Sequence, residues 1–331
     1  MDKAIIVDRL VKNFETTEKK PGLSGAVSSI FRPKKKTVRV LKGISFTIQP
    51  GELVGFIGPN GAGKTTTLKI LSGLLYPTSG FTQVLEYDPW DRKHEFLKQI
   101  SLVMGQKNQL WWDLPAIESF KLTQAIYEIG QKEYEKNLNE LVELLEAKKL
   151  LNVQVRRLSL GQRMRLELIA ALLHKPKVLF LDEPTIGLDL IGQQKVRDFI
   201  YDYNKKTGAT VLLTSHNMND LVDLARRVIV IDEGKLVFDG ALEELVHRFA
   251  KEKIIKVYLS NKEDMKKLKT IGKITKIAFP LVTLAVPRST AAVAAAEILQ
   301  NFPVTDITIE EIPVETVVQK VFRGDMPDKT V

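Results

Sequence analysis

The residues Gly58-Pro-Asn-Gly-Ala-Gly-Lys-Thr65 have the types and the spacing to hold phosphate, because they read G-x-x-x-x-G-K-[ST] between an apolar run and a helical pattern. Gly58, Gly61 and Gly63 let the backbone close around phosphate oxygens without a Cβ in the way, and Pro59, Asn60 and Ala62 complete the loop. Lys64 adds a point charge, Thr65 a hydroxyl suited to Mg²⁺, and Thr66 continues the turn. The run Leu53-Val-Gly-Phe-Ile57 reads as a buried strand, and Thr65-Thr-Thr-Leu-Lys-Ile-Leu71 begins a helix whose dipole favours anionic oxygens at its start. A second cluster is Val178-Leu-Phe-Leu-Asp-Glu-Pro184, which places Asp182 and Glu183 at the end of a buried strand, where ligands of parallel sheets gather. An Asp there can hold Mg²⁺ through its water shell, and the adjacent Glu can orient or deprotonate an attacking water. The chemistry these groups suit is hydrolysis of a nucleotide.

The elements that must position them can be read from periodicity. Strand patterns run over residues 4–11 and 38–48, and the turn Gln49-Pro-Gly51 precedes the phosphate-loop strand. Between them, residues 15–36 carry Lys19, Lys20, Arg32, Lys34, Lys35 and Lys36 with Pro21, Gly22, Gly25 and Pro33, the composition of an exposed basic insertion. Residues 91–162 read as helix-rich, with Tyr134, Leu138, Leu141, Val142 and Leu145 at helical spacing among Glu and Lys. Short apolar runs at residues 177–181, 210–213 and 227–231, separated by helical patterns, predict a buried parallel sheet. After Gly240 the pattern becomes strand 253–259, helix 261–268, strands 274–279 and 282–286, helix 290–302, and strand 304–309. This βαββαβ order predicts a ferredoxin-like α+β appendix closed by a helix over 315–322. Two domains follow, residues 1–240 and 241–331.

Bulk properties narrow the class. With 44% hydrophobic and 27% charged residues, the composition is that of a globular protein rather than a disordered one. No apolar run approaches the roughly 18 residues that span a bilayer, and the start Met1-Asp2-Lys3-Ala4 has no signal-peptide core, so a cytosolic address is expected. The absence of cysteine excludes disulfides and thiolate metal sites. A net charge of +9 fits a nucleic acid or a membrane surface as partner, and equally fits solubility alone.

Leu158-Ser-Leu-Gly-Gln162, standing just ahead of a helical pattern and twenty residues before Asp182, resembles the signature motif of the ATP-binding cassette (ABC) family. The resemblance extends, in family order, to Gln106 as the Q-loop residue, to Gly187-Leu-Asp189 as the D-loop and to Thr214-Ser-His216 as the switch histidine, and it covers roughly residues 4–240. It implies an α/β fold, a P-loop NTPase of the ABC ATPase type with a helical subdomain at about 91–162, followed by the small α+β domain. ATP and Mg²⁺ are the implied cofactors, with Thr65, Gln106 and Asp182 at the metal and Glu183, His216, Gln106 and Lys64 as catalytic residues. The implied partner is a second copy packed head to tail. ATP held by Lys64 of one copy is then covered by Ser159 and Gly161 of the other, with Gln162 and Asp189 beside them, and Phe14 stacks on the adenine. One departure is Leu160, where the usual signature has glycine.

The segment Gln106-Lys-Asn-Gln-Leu-Trp-Trp-Asp-Leu-Pro115 places Trp111 and Trp112 where the family's cassettes meet a transmembrane partner. With the Leu160 variant, the basic insertion and the appendix, the chain resembles the ATPase subunits of bacterial multidrug-type exporters with separately encoded permeases. The resemblance implies a protein peripheral on the cytoplasmic face of the membrane, with the inner leaflet in reach of the insertion. Two other readings stand beside it: a soluble ABC ATPase acting on nucleic acid or ribosomes, and a regulatory ABC ATPase without transport. Nucleic acid is disfavoured, because translation relatives usually fuse two cassettes and repair relatives carry long coiled-coil or zinc insertions. Substrate choice is left to transmembrane helices.

Overall fold

A computed structural model describes residues 3–17, 35–105, 108–215, 217–313 and 316–317. The chain separates into two compact units, Met1–Gly240 and Ala241–Val331.

The first unit begins with β1 (Ile5–Thr17) and β2 (Lys35–Ile48), followed by β3 (Leu53–Ile57) and β4 (Ser79–Val84). An antiparallel sheet in the order β2-β1-β4 comes first. Its register sets Thr17 opposite Lys35, so residues 18–34, which hold most of the basic insertion and lie outside the described residues, join neighbouring strand ends. The second sheet adds β5 (Ile100–Met104), β6 (Val178–Asp182), β7 (Thr210–Thr214), β8 (Arg227–Asp232) and β9 (Lys235–Ala241), in the order β5-β6-β7-β3-β8-β9. The pairs β5-β6, β6-β7, β7-β3 and β3-β8 are parallel. Val178 to Leu181 and Val211 to Leu213 are fully buried, which explains why these strands read as continuous apolar runs without alternation. Parallel pairing brings the C-terminal ends of β3 and β6, and hence both chemical clusters, to one edge of the sheet.

One expectation is corrected here. Within the stretch read as helix-rich, residues 91–162, Ile100–Met104 is a strand of the central sheet, with Leu102 opposite Phe180. Its short run of Ile, Leu and Val is stabilised by β6, which periodicity inside a charged stretch does not reveal. The helices proper are Ala116–Ile126, Gln131–Leu144 and Leu160–Leu172. Tyr134, Leu138, Leu141 and Val142 form the buried stripe of the second.

In the second unit β10 (Glu252–Leu259), β11 (Lys273–Ala278), β12 (Leu281–Pro287) and β13 (Val304–Glu311) form an antiparallel sheet in the order β11-β12-β10-β13. With the helix Ala291–Asn301 this is the split βαβ arrangement, and Ile255, Val257, Val282, Leu284 and Ile298 make its core. The helix read over residues 261–268 is instead a 3₁₀ segment, Glu263–Thr270, in which Asn261 Oδ1 accepts from Glu263 N at 3.1 Å. Of the closing helix read over 315–322, Thr316 and Val317 alone lie within the described residues. Among the described residues no helix is long and apolar enough to cross a membrane.

Candidate functional site

The phosphate loop connects β3 to the helix Lys64–Leu71. Its glycines are demanded by what surrounds it. A Cβ on Gly58 would come within 2.3 Å of the Ile231 carbonyl oxygen, and one on Gly63, at φ 110°, within 2.5 Å of Leu41 Cδ2. The helix start has no side-chain cap and no acidic residue in its first turn, which leaves backbone N–H groups for an anion. Lys64 is 5% exposed, and its Nζ donates to the carbonyls of Gly58 at 2.6 Å and Pro59 at 3.1 Å. Burial lowers its pKa, opposed by the carboxylates of Glu183 and Asp182. An ammonium held this way favours a neighbouring phosphate strongly, because little water screens it.

Asp182 ends β6 with both carboxylate oxygens engaged: Thr65 Oγ1 donates to Oδ2 at 2.8 Å, and Thr214 Oγ1 donates to Oδ1 at 2.7 Å. One carboxylate thus ties the start of the phosphate-loop helix to the ends of β6 and β7. The adjacent hydroxyl and carboxylate are hard oxygen donors that fit Mg²⁺, which takes few protein ligands and leaves the rest to water and phosphate. Glu183 follows in the left-handed region at φ 56°, a conformation costing on the order of 1–3 kcal/mol, with its N–H donated to Thr214. Gly105 N donates to Asp182 O at 2.9 Å, and a Cβ on Gly105 would lie 2.2 Å from the Glu183 carbonyl oxygen. The residue that follows, Gln106, lies outside the described residues, as does His216.

Sequence reasoning missed the network flanking His216. Asp220 is fully buried and accepts from Thr185 Oγ1 at 2.5 Å, Ser215 Oγ at 2.6 Å and Arg197 Nη1 at 2.8 Å. Three segments that meet beside Asp182 and Glu183 are thereby fixed to one another. The available signal was Arg197, a charge set among the buried Val196, Phe199 and Ile200.

The signature residues form a second constellation. Ser159 caps the helix Leu160–Leu172 through a reciprocal pair: Gln162 N donates to Ser159 Oγ at 3.3 Å and Ser159 N to Gln162 Oε1 at 3.0 Å. Gly161 leaves contact distance to Leu188, and Asp189 caps the helix Leu190–Thr207 by accepting from Gly192 N at 2.8 Å. Among the described residues no hydrogen bond links Ser159, Gly161 or Gln162 to residues 58–65. Phe14 is half-buried on β1 opposite Val38, with Lys12 Nζ 5.0 Å from its ring centre. Trp111 and Trp112 are 51% and 47% exposed.

Known proteins give the arrangement its kinship. A family model described as ABC transporter matches residues 41–186, and one described as EvrA-like ABC transporter, C-terminal domain, matches residues 251–310. The ABC transporter ATP-binding protein NatA of Bacillus subtilis is 32% identical over 70% of this chain and 93% of its own length. The linearmycin resistance ATP-binding protein LnrL of the same organism is 33% identical over 68% of this chain and 71% of its own length. A dimeric ATP-binding cassette in a post-hydrolysis state, bound to ADP and Pi, superposes with a TM-score of 0.59 over 72% of this chain and 98% of that one, at 24% identity. That last likeness concerns the fold, whereas the identity to NatA over nearly its whole length concerns descent. This chain belongs to the ABC transporter family, as an ATP-binding and ATP-hydrolysing subunit.

Proposed function

We propose that the chain is the energy-coupling ATPase of an exporter with separately encoded permease subunits. The observation that carries its chemistry is Asp182 held between Thr65 and Thr214 beside the buried Lys64. In this reading the loop Gly58–Thr65 with Thr66 cradles the ATP phosphates, and Phe14 stacks on adenine. Thr65 and Asp182, with Gln106, would hold Mg²⁺, whose charge when bound would offset the negative charge of the phosphoryl group. Glu183 orients the attacking water and His216 contacts the γ-phosphate. Ser159, Gly161, Gln162 and Asp189 of a second copy cover that phosphate with a helix start, completing a site that neither copy has alone. Binding energy closes the homodimer and moves the permease between access states; hydrolysis and product release reopen it.

The permease contact is assigned to Trp111 and Trp112, because two exposed tryptophans side by side are characteristic of an interface. Export is supported by the resistance named for LnrL. The basic insertion follows β1 in the chain, lies for the most part outside the described residues, and by its charge suits the inner leaflet of the membrane, where each well-placed Lys or Arg contributes about 1 kcal/mol with anionic lipid. Coexpression with its permease and isolation of membranes provide the test. The parent protein is expected to be retained with the permease, and the double change of Trp111 and Trp112 to Ala to lose retention while binding ATP as before. Retention and transport at parental levels in that variant would return the tryptophans to ordinary packing.

A further inference from the structure

Glu167 sits on the helix Leu160–Leu172 among Leu166, Leu168 and Ile169 and is 3% exposed. A carboxylate in such a place is costly unless its oxygens are satisfied. They are satisfied by backbone alone. Gln109 N donates to both oxygens, at 3.0 and 3.1 Å, and Leu110 N donates to Oε1 at 3.3 Å. Burial still raises the carboxyl's pKa, against those two amides and the nearby Arg163. An apolar residue would suit the helix better, so what the carboxylate secures is the course of the loop it holds.

The same segment grips the rest of that loop. One turn before Glu167, the Arg163 guanidinium lies 5.7 Å from the centre of the Trp112 ring. Just ahead of Ser159, Arg156 N donates to Trp112 O at 3.0 Å, Val155 N donates to Leu114 O at 3.1 Å, and Arg156 Nη1 lies 3.2 Å from Asp113. On the far side Trp111 N donates to Ser119 Oγ at 3.1 Å. Residues 155–167, which carry Ser159 and Gly161, therefore hold the loop at Gln109, Leu110, Trp112, Asp113 and Leu114.

We propose that Glu167 is a positioning residue that locks the tryptophan loop to the signature helix, so that the two move as one body. Displacement of Trp111 and Trp112 then arrives at Ser159 and Gly161 without slack, and nucleotide-driven movement of the helix carries the tryptophans with it. The functional consequence rests on reading the tryptophans as the permease contact, but the lock itself does not.

The test uses the full chain with Trp90→Phe, which leaves Trp111 and Trp112 as the emitting residues of the three tryptophans. Acrylamide quenching is expected to rise at least about twofold in Glu167→Met, which keeps the volume and removes both acceptors. Glu167→Gln, retaining one oxygen able to accept, is expected to fall between Met and the parent. Quenching at the parental level in Glu167→Met, even with a lowered melting temperature, overturns the proposal. Hydrogen exchange on the parent decides the matter if Glu167→Met does not fold. Amides of Gln109 and Leu110 protected like those of the helix support the lock, and exchange at free-loop rates overturns it. Because no permease is present, these readouts stand or fall apart from the permease contact.

Discussion

Leu160 Cδ2 occupies the space that any side chain on Gly187 would need, 2.5 Å from the Cβ position of that glycine. Leu160, the departure from the signature the sequence resembles, is thus fitted onto Gly187, which at φ 70° has room for no more. Gly187→Ala is expected to lower steady-state ATPase activity about tenfold or more, while Leu160→Ala alone has a smaller effect. In the Leu160→Ala background the penalty of Gly187→Ala should shrink by about 1 kcal/mol, in the usual range for side chains in contact. A remaining backbone cost is expected, since alanine is disfavoured at positive φ. Additive effects in this double-mutant cycle would mean that the contact carries no energy.

Glu183→Gln is expected to retain ATP binding and to lose steady-state hydrolysis by two orders of magnitude or more, in the upper range of general-base effects. Lys64→Ala should instead weaken nucleotide binding, because the buried ammonium beside Asp182 is gone. Equilibrium binding of a fluorescent ATP analogue beside phosphate release separates the two. An unchanged ATPase rate in Glu183→Gln would sink its assignment.

The proposed covering of ATP on Lys64 of one copy by Ser159 of another predicts complementation between lesions. Lys64→Ala and Ser159→Arg subunits should each hydrolyse poorly alone. Mixed dimers should regain activity, since one composite site in each escapes both changes. Loss of activity in verified mixed dimers would count against shared sites.

Asp220→Ala removes the carboxylate that pairs with Arg197 and accepts from Thr185 and Ser215. Arg197 keeps Asp223, 3.0 Å from its Nε, and donates from Nη2 to Gln194 Oε1 at 2.6 Å, so the loss is expected to be that of unmet buried donors, about 1–3 kcal/mol. Chemical denaturation measures it, and a change below about 1 kcal/mol would show that the remaining partners satisfy these groups.

His174 predicts a pH dependence. Its Nε2–H donates to the Ile100 carbonyl at 3.0 Å, its ring stacks on Tyr127 at 3.8 Å, and among the described residues the buried Nδ1 has no hydrogen-bond partner. Burial holds the pKa down to about 4, from 6.5. Above pH 6.5 the ring is neutral folded or unfolded; below it the unfolded chain takes up a proton first, so stability falls as pH drops towards 4. The loss attributable to this ring is on the order of 3 kcal/mol. His174→Phe, which keeps the stack, should flatten that part of the curve in urea titrations between pH 7 and 4. Parallel curves for parent and variant would place the acid sensitivity elsewhere.

The phosphate loop and the Asp182-Glu183 pair were legible because each is a set of chain neighbours whose chemistry depends on close spacing. The buried strands were legible for a related reason, since two covered faces require an unbroken apolar run. Strand β5 was not, because five residues in a charged stretch owe their extended form to β6. The 3₁₀ segment Glu263–Thr270 is a similar case, its helical spacing being shared by two kinds of turn.

By itself, then, the sequence determined the nucleotide chemistry and the membership of the family, through residues adjacent enough to be read together. The tertiary structure alone decided the contacts that join distant positions: Asp182 with Thr65 and Thr214, Arg197 with Asp220, Glu167 with Gln109, and Leu160 with Gly187. The roles of Arg197, Asp220 and Glu167 arise when the fold takes them out of water and sets hydrogen-bond partners within reach, because a buried polar group left unpaired costs stability.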